Sequence, residues 1–232
     1  MRLFYDSNIK QNSVKHSLSV DESKHIVRVL RMKKGDKLAV LNGNGGFFEC
    51  VITNSDPKEC ELEVVKETFS VIPEYEIHVA IAPTKQMERL EYFVEKATEI
   101  GITEISLIGC GNSERTKLNI ERLTKKAVSA MKQSHRVFLP KINDIEDVKT
   151  FISNNPSGLL AHCYEDKLDL ISNALKPKKC PISIGPEGDF TKEEIELALN
   201  NGYKSITLGE NRLRTETAGL YACMQAKMIF DK

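Results

Sequence analysis

Several features are missing from this chain of 232 residues, and each absence closes a class. No window approaches 18 consecutive apolar residues, so no membrane-spanning helix is expected. The opening segment MRLFYDSNIK has no apolar core, which argues against a secretory signal. Cysteines 50, 60, 110, 163, 180 and 223 are scattered, with no CxxC pair. That spacing offers no clustered metal ligands, so no metal is expected. It points instead to reduced, mostly buried thiols in the cytoplasm. No GxGxxG follows the apolar run 77–82; the next residues are Pro83, Thr84 and Lys85. That speaks against a Rossmann dinucleotide site or an ordinary methyltransferase site. There is no internal repeat and no low-complexity segment. Net charge is also missing, because 33 Lys and Arg balance 33 Asp and Glu.

What is present is an apolar fraction of 41%, enough for a real core in one large domain or a small plus a medium one. Charge is uneven along the chain. Between Lys24 and Lys37 six cations face only Asp36, a balance of +5. Between Arg115 and Lys141 eight cations face only Glu121, a balance of +7. Local charge, not total charge, sets affinity for RNA. A solvated helix face explains the same pattern equally simply.

Residues 1–72 read as β-rich. The stretch 37–41 is a short strand, Asn42-Gly43-Asn44-Gly45-Gly46 a tight turn, 47–53 a returning strand and 61–67 an alternating third. Residues 25–31 read as a short helix or strand. Together they suggest a small barrel. After Pro73 the pattern becomes strand–helix alternation over 73–232. Strands are expected at 77–82, 105–108, 159–163, 181–184 and 205–208. Helices are expected at 85–100, 120–134, 191–200 and 215–230, the third opening with a Thr191–Glu194 capping box. Such alternation argues an α/β domain with a mostly parallel sheet covered on both faces.

Two late segments carry the chemistry: Ile184-Gly185-Pro186-Glu187-Gly188-Asp189-Phe190 and Leu208-Gly209-Glu210-Asn211-Arg212-Leu213-Arg214-Thr215-Glu216-Thr217-Ala218. Each reads as a strand end, a glycine loop and a helix start, on what would be adjacent strand ends. Glycine lets main-chain groups approach a flat ligand, and ligands of open α/β sheets bind beyond the carboxyl ends of the strands. Thr215 reads as the N-cap of the last helix, with Glu216 favourably placed in its first turn. Arg212 and Arg214 do not suit a helix N-terminus, and such exceptions tend to be functional. His25, Arg28 and Arg31 recur at spacing three, one face of a helix.

The pair GPEGDFT and LGENRLRTETA resembles the paired motifs of RsmE-type ribosomal RNA methyltransferases, a family of the SPOUT class. Asp189 stands where that family commonly has a third glycine. The likeness extends to HIVRVLR at 25–31, to the helix 91–101 and to Gln133-Ser134-x-Arg136, so it spans nearly the whole chain. It implies a PUA-like β-barrel over 1–72, followed by a SPOUT domain over 73–232 with a trefoil knot in its C-terminal part. It also implies S-adenosylmethionine as cofactor, a homodimer, and methylation of N3 of a uridine in 16S ribosomal RNA, free or within the small subunit. By the same likeness Leu160, Gly185, Glu187, Gly188, Leu208, Gly209 and Leu213 fall at the cofactor. Arg214 is the candidate for stabilising charge on uracil, and Glu216 the nearest candidate base. Arg2, His25, Arg28, Arg31, Arg136 and Arg212 are the candidates for RNA contact. Arg136 with His135 equally reads as a helix C-cap. Two rivals remain at this point: an RNA-binding module that kept the fold without catalysis, and an enzyme binding a phosphorylated small molecule. The acids Glu187 and Asp189 disfavour the second.

Overall fold

The structure is a computed structural model describing residues 1–115, 117–164, 168–175 and 180–231. It divides into two compact units. One is Met1–Ile72 with Met131–Leu139; the other is Pro73–Ala130 with Pro140–Lys232.

In the first unit, strands β1 (Leu3–Tyr5), β2 (Lys15–Ser17), β3 (Lys37–Leu41), β4 (Gly46–Ser55) and β5 (Cys60–Phe69) form a sheet in the order β1-β3-β4-β5-β2. β1 pairs parallel with β3, and the other pairs are antiparallel. The asparagine–glycine turn works because Gly43 and Gly45 take φ of 76° and 89°. Asn42 Oδ1 accepts from the N–H groups of Asn44 and Gly46, each at 2.8 Å. Burial alternates along β4, and its inward residues Phe48, Cys50 and Ile52 pack with Phe4, Leu38 and Leu62 in one apolar cluster. Helix α1 (Val20–Lys24) is capped by Ser19 and runs on into a π-helical turn, His25–Val29. Arg31 follows in the left-handed conformation, φ 54°, while the Met32 N–H returns to the Ile26 carbonyl at 3.1 Å. Arg31 thus ends the helix and does not share a helical face with Arg28, as its spacing had suggested. The segment 131–139, distant in sequence, joins this unit through Gly45 N–H to Val137 O and Leu139 N–H to Gly43 O, both 2.9 Å.

Among the described residues the second unit holds seven parallel strands: β6 (His78–Ile81), β7 (Glu104–Gly109), β8 (Lys141–Asp147), β9 (Leu159–Ala161), β10 (Asp169–Leu170), β11 (Pro181–Ile184) and β12 (Lys204–Thr207). Their order is β10-β12-β9-β11-β6-β7-β8. Between them run α2 (Met87–Ile100), α3 (Ile120–Gln133), α4 (Val148–Asn154), α5 (Ile171–Ala174), α6 (Lys192–Asn200) and α7 (Thr215–Phe230). α2 buries Leu90, Phe93, Val94 and Ala97 and is stopped by Gly101 at φ 112°. The capping box of α6 forms in full between Thr191 and Glu194. α3 ends as a Schellman turn: His135 is left-handed, φ 58°, and the Arg136 N–H reaches the Met131 carbonyl at 3.0 Å. The capping reading of that segment is therefore realised.

The strands that carry the two glycine loops are not neighbours. β9 lies between them, pairing with β11 on one side and β12 on the other. After β12 the chain returns to lay α7 against α2, β6 and β11. Gly219 makes that close approach possible. A Cβ there would sit 2.7 Å from Phe93 Cε2 and 2.9 Å from Ile81 Cδ1. Gly219→Val is expected to cost about 1–3 kcal/mol by overpacking, read as a lower urea midpoint with unchanged slope. A wild-type midpoint would show that this contact yields freely.

Candidate functional site

A half-open cavity of about 240 Å³ lies at the carboxyl ends of β9, β11 and β12. Three loops make its walls. The end of β9 supplies Ala161, His162 and Cys163; the β11 loop supplies residues 184–187 and Asp189; the β12 loop supplies 207–209 and 211–215. Ala218, one turn into α7, completes the lining. The volume is close to the lower limit of ordinary small-molecule sites, about 300 Å³.

Side-chain hydrogen bonds tie the loops together. Asp189 is the key to one joint. Its φ of 63° explains why a glycine fits this position. Its carboxylate accepts from the Cys163 N–H at 3.0 Å and from the Phe190 N–H at 2.8 Å. The β11 loop is thus latched to the end of β9, which glycine could not do. Asn112, after β7, donates from Nδ2 to the carbonyls of Gly188 and Asp189, both at 3.1 Å. The buried Thr215 hydroxyl donates to the Gly185 carbonyl at 3.1 Å, joining the second glycine loop to the first. Arg214, not Thr215, is the N-cap of α7, and it makes no side-chain capping bond. Thr215 is the first helical residue, and its hydroxyl is committed to tertiary structure. His162 Nδ1 accepts from the Tyr164 N–H at 3.3 Å, so Nε2 carries the proton and donates to Ser205 Oγ at 2.8 Å.

The interior mixes surfaces. Ala161, Ile184, Leu208, Leu213 and Ala218 offer apolar area, while loop main chain offers donors and acceptors. Gly209 has φ 123°, and among the described residues, its two chain neighbours apart, no atom lies within 4 Å of where a Cβ would point. Its own N–H and carbonyl both engage the Thr207 hydroxyl, at 3.2 and 3.0 Å. Such a wall suits a flat, largely uncharged ring with a polar edge. Arg212 and Arg214 line the opening with exposed side chains. Nearby, burial and then the Glu194 charge push the Cys110 thiol well above its ordinary range, which removes it as a nucleophile. Among the described residues, no group of three or more His, Cys, Asp or Glu side chains is placed to hold a metal.

Of the expected cofactor residues, Gly185, Glu187, Leu208, Gly209 and Leu213 line the cavity. Leu160 does not; it is fully buried in the apolar cluster of this unit. Gly188 does not either; it is exposed, and a Cβ there would meet Asn112 at 3.1 Å. Glu216 is buried on α7, with one carboxylate oxygen 3.8 Å from Arg89 Nε, and is absent from the lining. Arg2, His25, Arg28, Arg31 and Arg136 all belong to the first unit. There Arg2 Nη1 donates to the Leu30 carbonyl at 3.5 Å and the His25 ring meets Phe4 edge-on, which gathers Arg2 and His25 at the helix that carries Arg28. Sequence reasoning missed His162, Cys163, Asp189 and Thr215 as parts of the site. The signal was present at Asp189, a charged residue where the likeness has glycine.

Comparison with known proteins gives the same direction. A family model described as RNA methyltransferase domain matches residues 72–227, and one described as RNA methyltransferase PUA domain matches 18–65. The chain is 32% identical to the ribosomal RNA small subunit methyltransferase E of Rickettsia conorii, over 98% of this chain and 95% of that one. It is 41% identical to a crystal structure of a probable rRNA-methyltransferase from Porphyromonas gingivalis, with TM-score 0.90 over 100% and 99% of the two chains. The fold is also that of a ribosomal RNA small subunit methyltransferase E from Neisseria gonorrhoeae bound to S-adenosyl methionine, with TM-score 0.83 and 22% identity over 97% and 96%.

Proposed function

Since the chain belongs to the RNA methyltransferase family represented by ribosomal RNA small subunit methyltransferase E, we propose that it methylates N3 of a uridine in 16S ribosomal RNA, with S-adenosylmethionine as methyl donor. One observation carries the reading: a cavity with main-chain and apolar walls, built from three parallel strand ends, opens beside two exposed arginines. Its donor set fits the cofactor, with apolar walls for adenine and main-chain groups for its polar edge. Gly185, Glu187, Leu208, Gly209 and Leu213 are the residues assigned to hold it. Bound there, the cofactor supplies an electrophilic methyl group.

The rest of the chemistry belongs to the chain. Uracil N3 must give up its proton, to solvent water at the half-open cavity, before bonding to carbon, and the negative charge left by that loss spreads over O2 and O4. Arg214, at the cavity mouth, offers a planar fork of donors to that charge. Glu216 is buried beside Arg89, so its assigned role is to brace the first turn of α7, which follows directly on Arg214. A paired base cannot reach such a pocket, so the target uridine is unpaired or flipped out. The first unit is assigned to RNA binding through Arg2, His25, Arg28 and Arg31. Replacing Arg28 and Arg31 by Ala should reduce the salt slope of RNA binding by about 0.7–0.9 per lost phosphate contact. Cofactor affinity, read by calorimetry, should not move; an unchanged slope would reduce both arginines to solvated charges.

We assign a trefoil knot to the C-terminal part. It is supported by the excursion from β11 across β9 to β12 and the return of α7 onto β6. A homodimer is supported by exposed Tyr221, Met224 and Met228, recurring along one side of α7. No helix among the described residues is long and apolar enough to cross a membrane, and the proposed substrate puts the protein in the cytoplasm. Mass spectrometry of 16S ribosomal RNA from cells with and without the protein tests the reading. One N3-methyluridine should vanish without it; an unchanged modification pattern refutes it.

A further inference from the structure

Beyond the cavity, the carboxyl edge of the sheet continues into the loops after β6 and β7, where a group of cations plays no part in the chemistry above. Lys85, Glu114, Arg115 and Lys117 line a second, shallow depression of about 470 Å³. It is physically joined to the first. Glu187, on the cavity wall, accepts from the Lys85 N–H at 3.2 Å, and the Lys85 carbonyl accepts from Arg115 Nη2 at 2.8 Å. Two hydrogen bonds therefore connect the cavity wall to this guanidinium. Among the described residues of the lining the one acid, Glu114, pairs with Lys85 Nζ at 2.9 Å, with side chains 63% and 69% exposed. An ion pair that open to water is weak and readily exchanged.

Arg115 supplies the second observation. Its Nε is buried and has no hydrogen-bond partner among the described residues. A buried donor left unanswered is costly and rare, and it calls for an acceptor. One edge of the guanidinium is fixed by a main-chain carbonyl, its Nε is unanswered, and two lysines stand beside it. That is a donor set for an oxyanion with several acceptor oxygens. Among the described residues no aromatic side chain lines the depression, so they offer no platform for stacking a base.

We infer that this depression is a subsite for backbone phosphates of the RNA strand whose uridine enters the neighbouring cavity. Arg115 is the fixed contact, and Lys85 and Lys117 add charge on either side. The inference rests on the RNA-substrate reading and adds a direction to it. The strand leaves the cavity over the loops after β6 and β7, and the phosphate held by Arg115 helps set which nucleotide reaches the cavity.

The test uses the full chain with Arg115→Gln and Lys117→Glu, singly and together, and poly(U) as probe, with anisotropy recorded across a salt series. On a single strand each lost phosphate contact lowers the slope of log affinity against log salt by about 0.7. The double variant should therefore lose about 1.4 of slope, keeping its unfolding midpoint and its affinity for S-adenosylmethionine. Arg115→Gln also removes the bond to the Lys85 carbonyl. Lys117→Glu keeps that bond and must still lower the slope. A wild-type slope in folded variants overturns the subsite, even if the wild-type protein methylates 16S ribosomal RNA. A lowered slope supports the subsite, even if the wild-type protein leaves 16S ribosomal RNA unmethylated; that second result would remove the proposed function alone.

Discussion

Arg214→Ala is expected to slow single-turnover methyl transfer by about 100- to 1000-fold with RNA and cofactor both saturating, the usual loss on removing one preorganised donor. Affinity for either ligand should change far less. The charge on the O2–N3–O4 system exists only while the proton leaves and the methyl arrives. An interaction made only then lowers the barrier and leaves ground-state binding nearly untouched. Local structure should survive, because Arg214 is exposed and makes no capping bond to α7. Arg214→Lys should recover only part of the rate, since the ammonium keeps the charge and loses the fork. A near-normal rate at saturation, with RNA affinity alone reduced, would make Arg214 a phosphate contact.

Gly209→Val is expected to weaken S-adenosylmethionine binding by at least about tenfold. Two effects act together. The position has φ 123°, which a β-branched residue strongly resists, at a cost of about 1–3 kcal/mol. Among the described residues, the two chain neighbours of Gly209 apart, no atom lies within 4 Å of the new Cβ, so the added side chain has cavity space to occupy. The fold should therefore persist, with a midpoint lowered only by the backbone strain. Isothermal titration beside a thermal melt separates the two effects. Full affinity in a folded variant would move the cofactor off this loop.

Local rules carried much of the architecture. The bounds of α7 at 215–230, the Thr191–Glu194 capping box and the strand at 181–184 follow from apolar spacing and cap chemistry within a few residues. What escaped was set by distant partners. β8, Lys-Ile-Asn-Asp-Ile-Glu-Asp, lies at the sheet edge and carries only two apolar residues, so its alternation is faint. The placement of β9 between the two glycine-loop strands is a matter of crossover order, which no periodicity encodes. It brings His162 and Cys163 to the cavity. Residues 131–134 read as the tail of a basic helix, yet the main chain just beyond them, at Val137 and Leu139, pairs with Gly45 and Gly43, more than 90 positions earlier.

The candidate site divides along the same line. The glycine loops were legible because glycine is informative where main chain must approach a ligand, and Arg212 and Arg214 because they break the charge rule of a helix start. Thr215 misled because a hydroxyl at a helix start ordinarily caps, whereas here it reaches Gly185, thirty residues away. Glu216 is close to Arg214 in sequence, yet its carboxylate lies 3.8 Å from Arg89, a neighbour that sequence proximity does not reveal.

The most direct measurement takes purified protein, a 16S ribosomal RNA transcript and S-adenosylmethionine carrying a labelled methyl group. The RNA is digested to nucleosides and resolved by mass spectrometry. Labelled N3-methyluridine, formed at one site and lost with Arg214→Ala, is the expected result. Label in any other nucleoside, or none in RNA while the cofactor binds normally, would contradict the proposed chemistry.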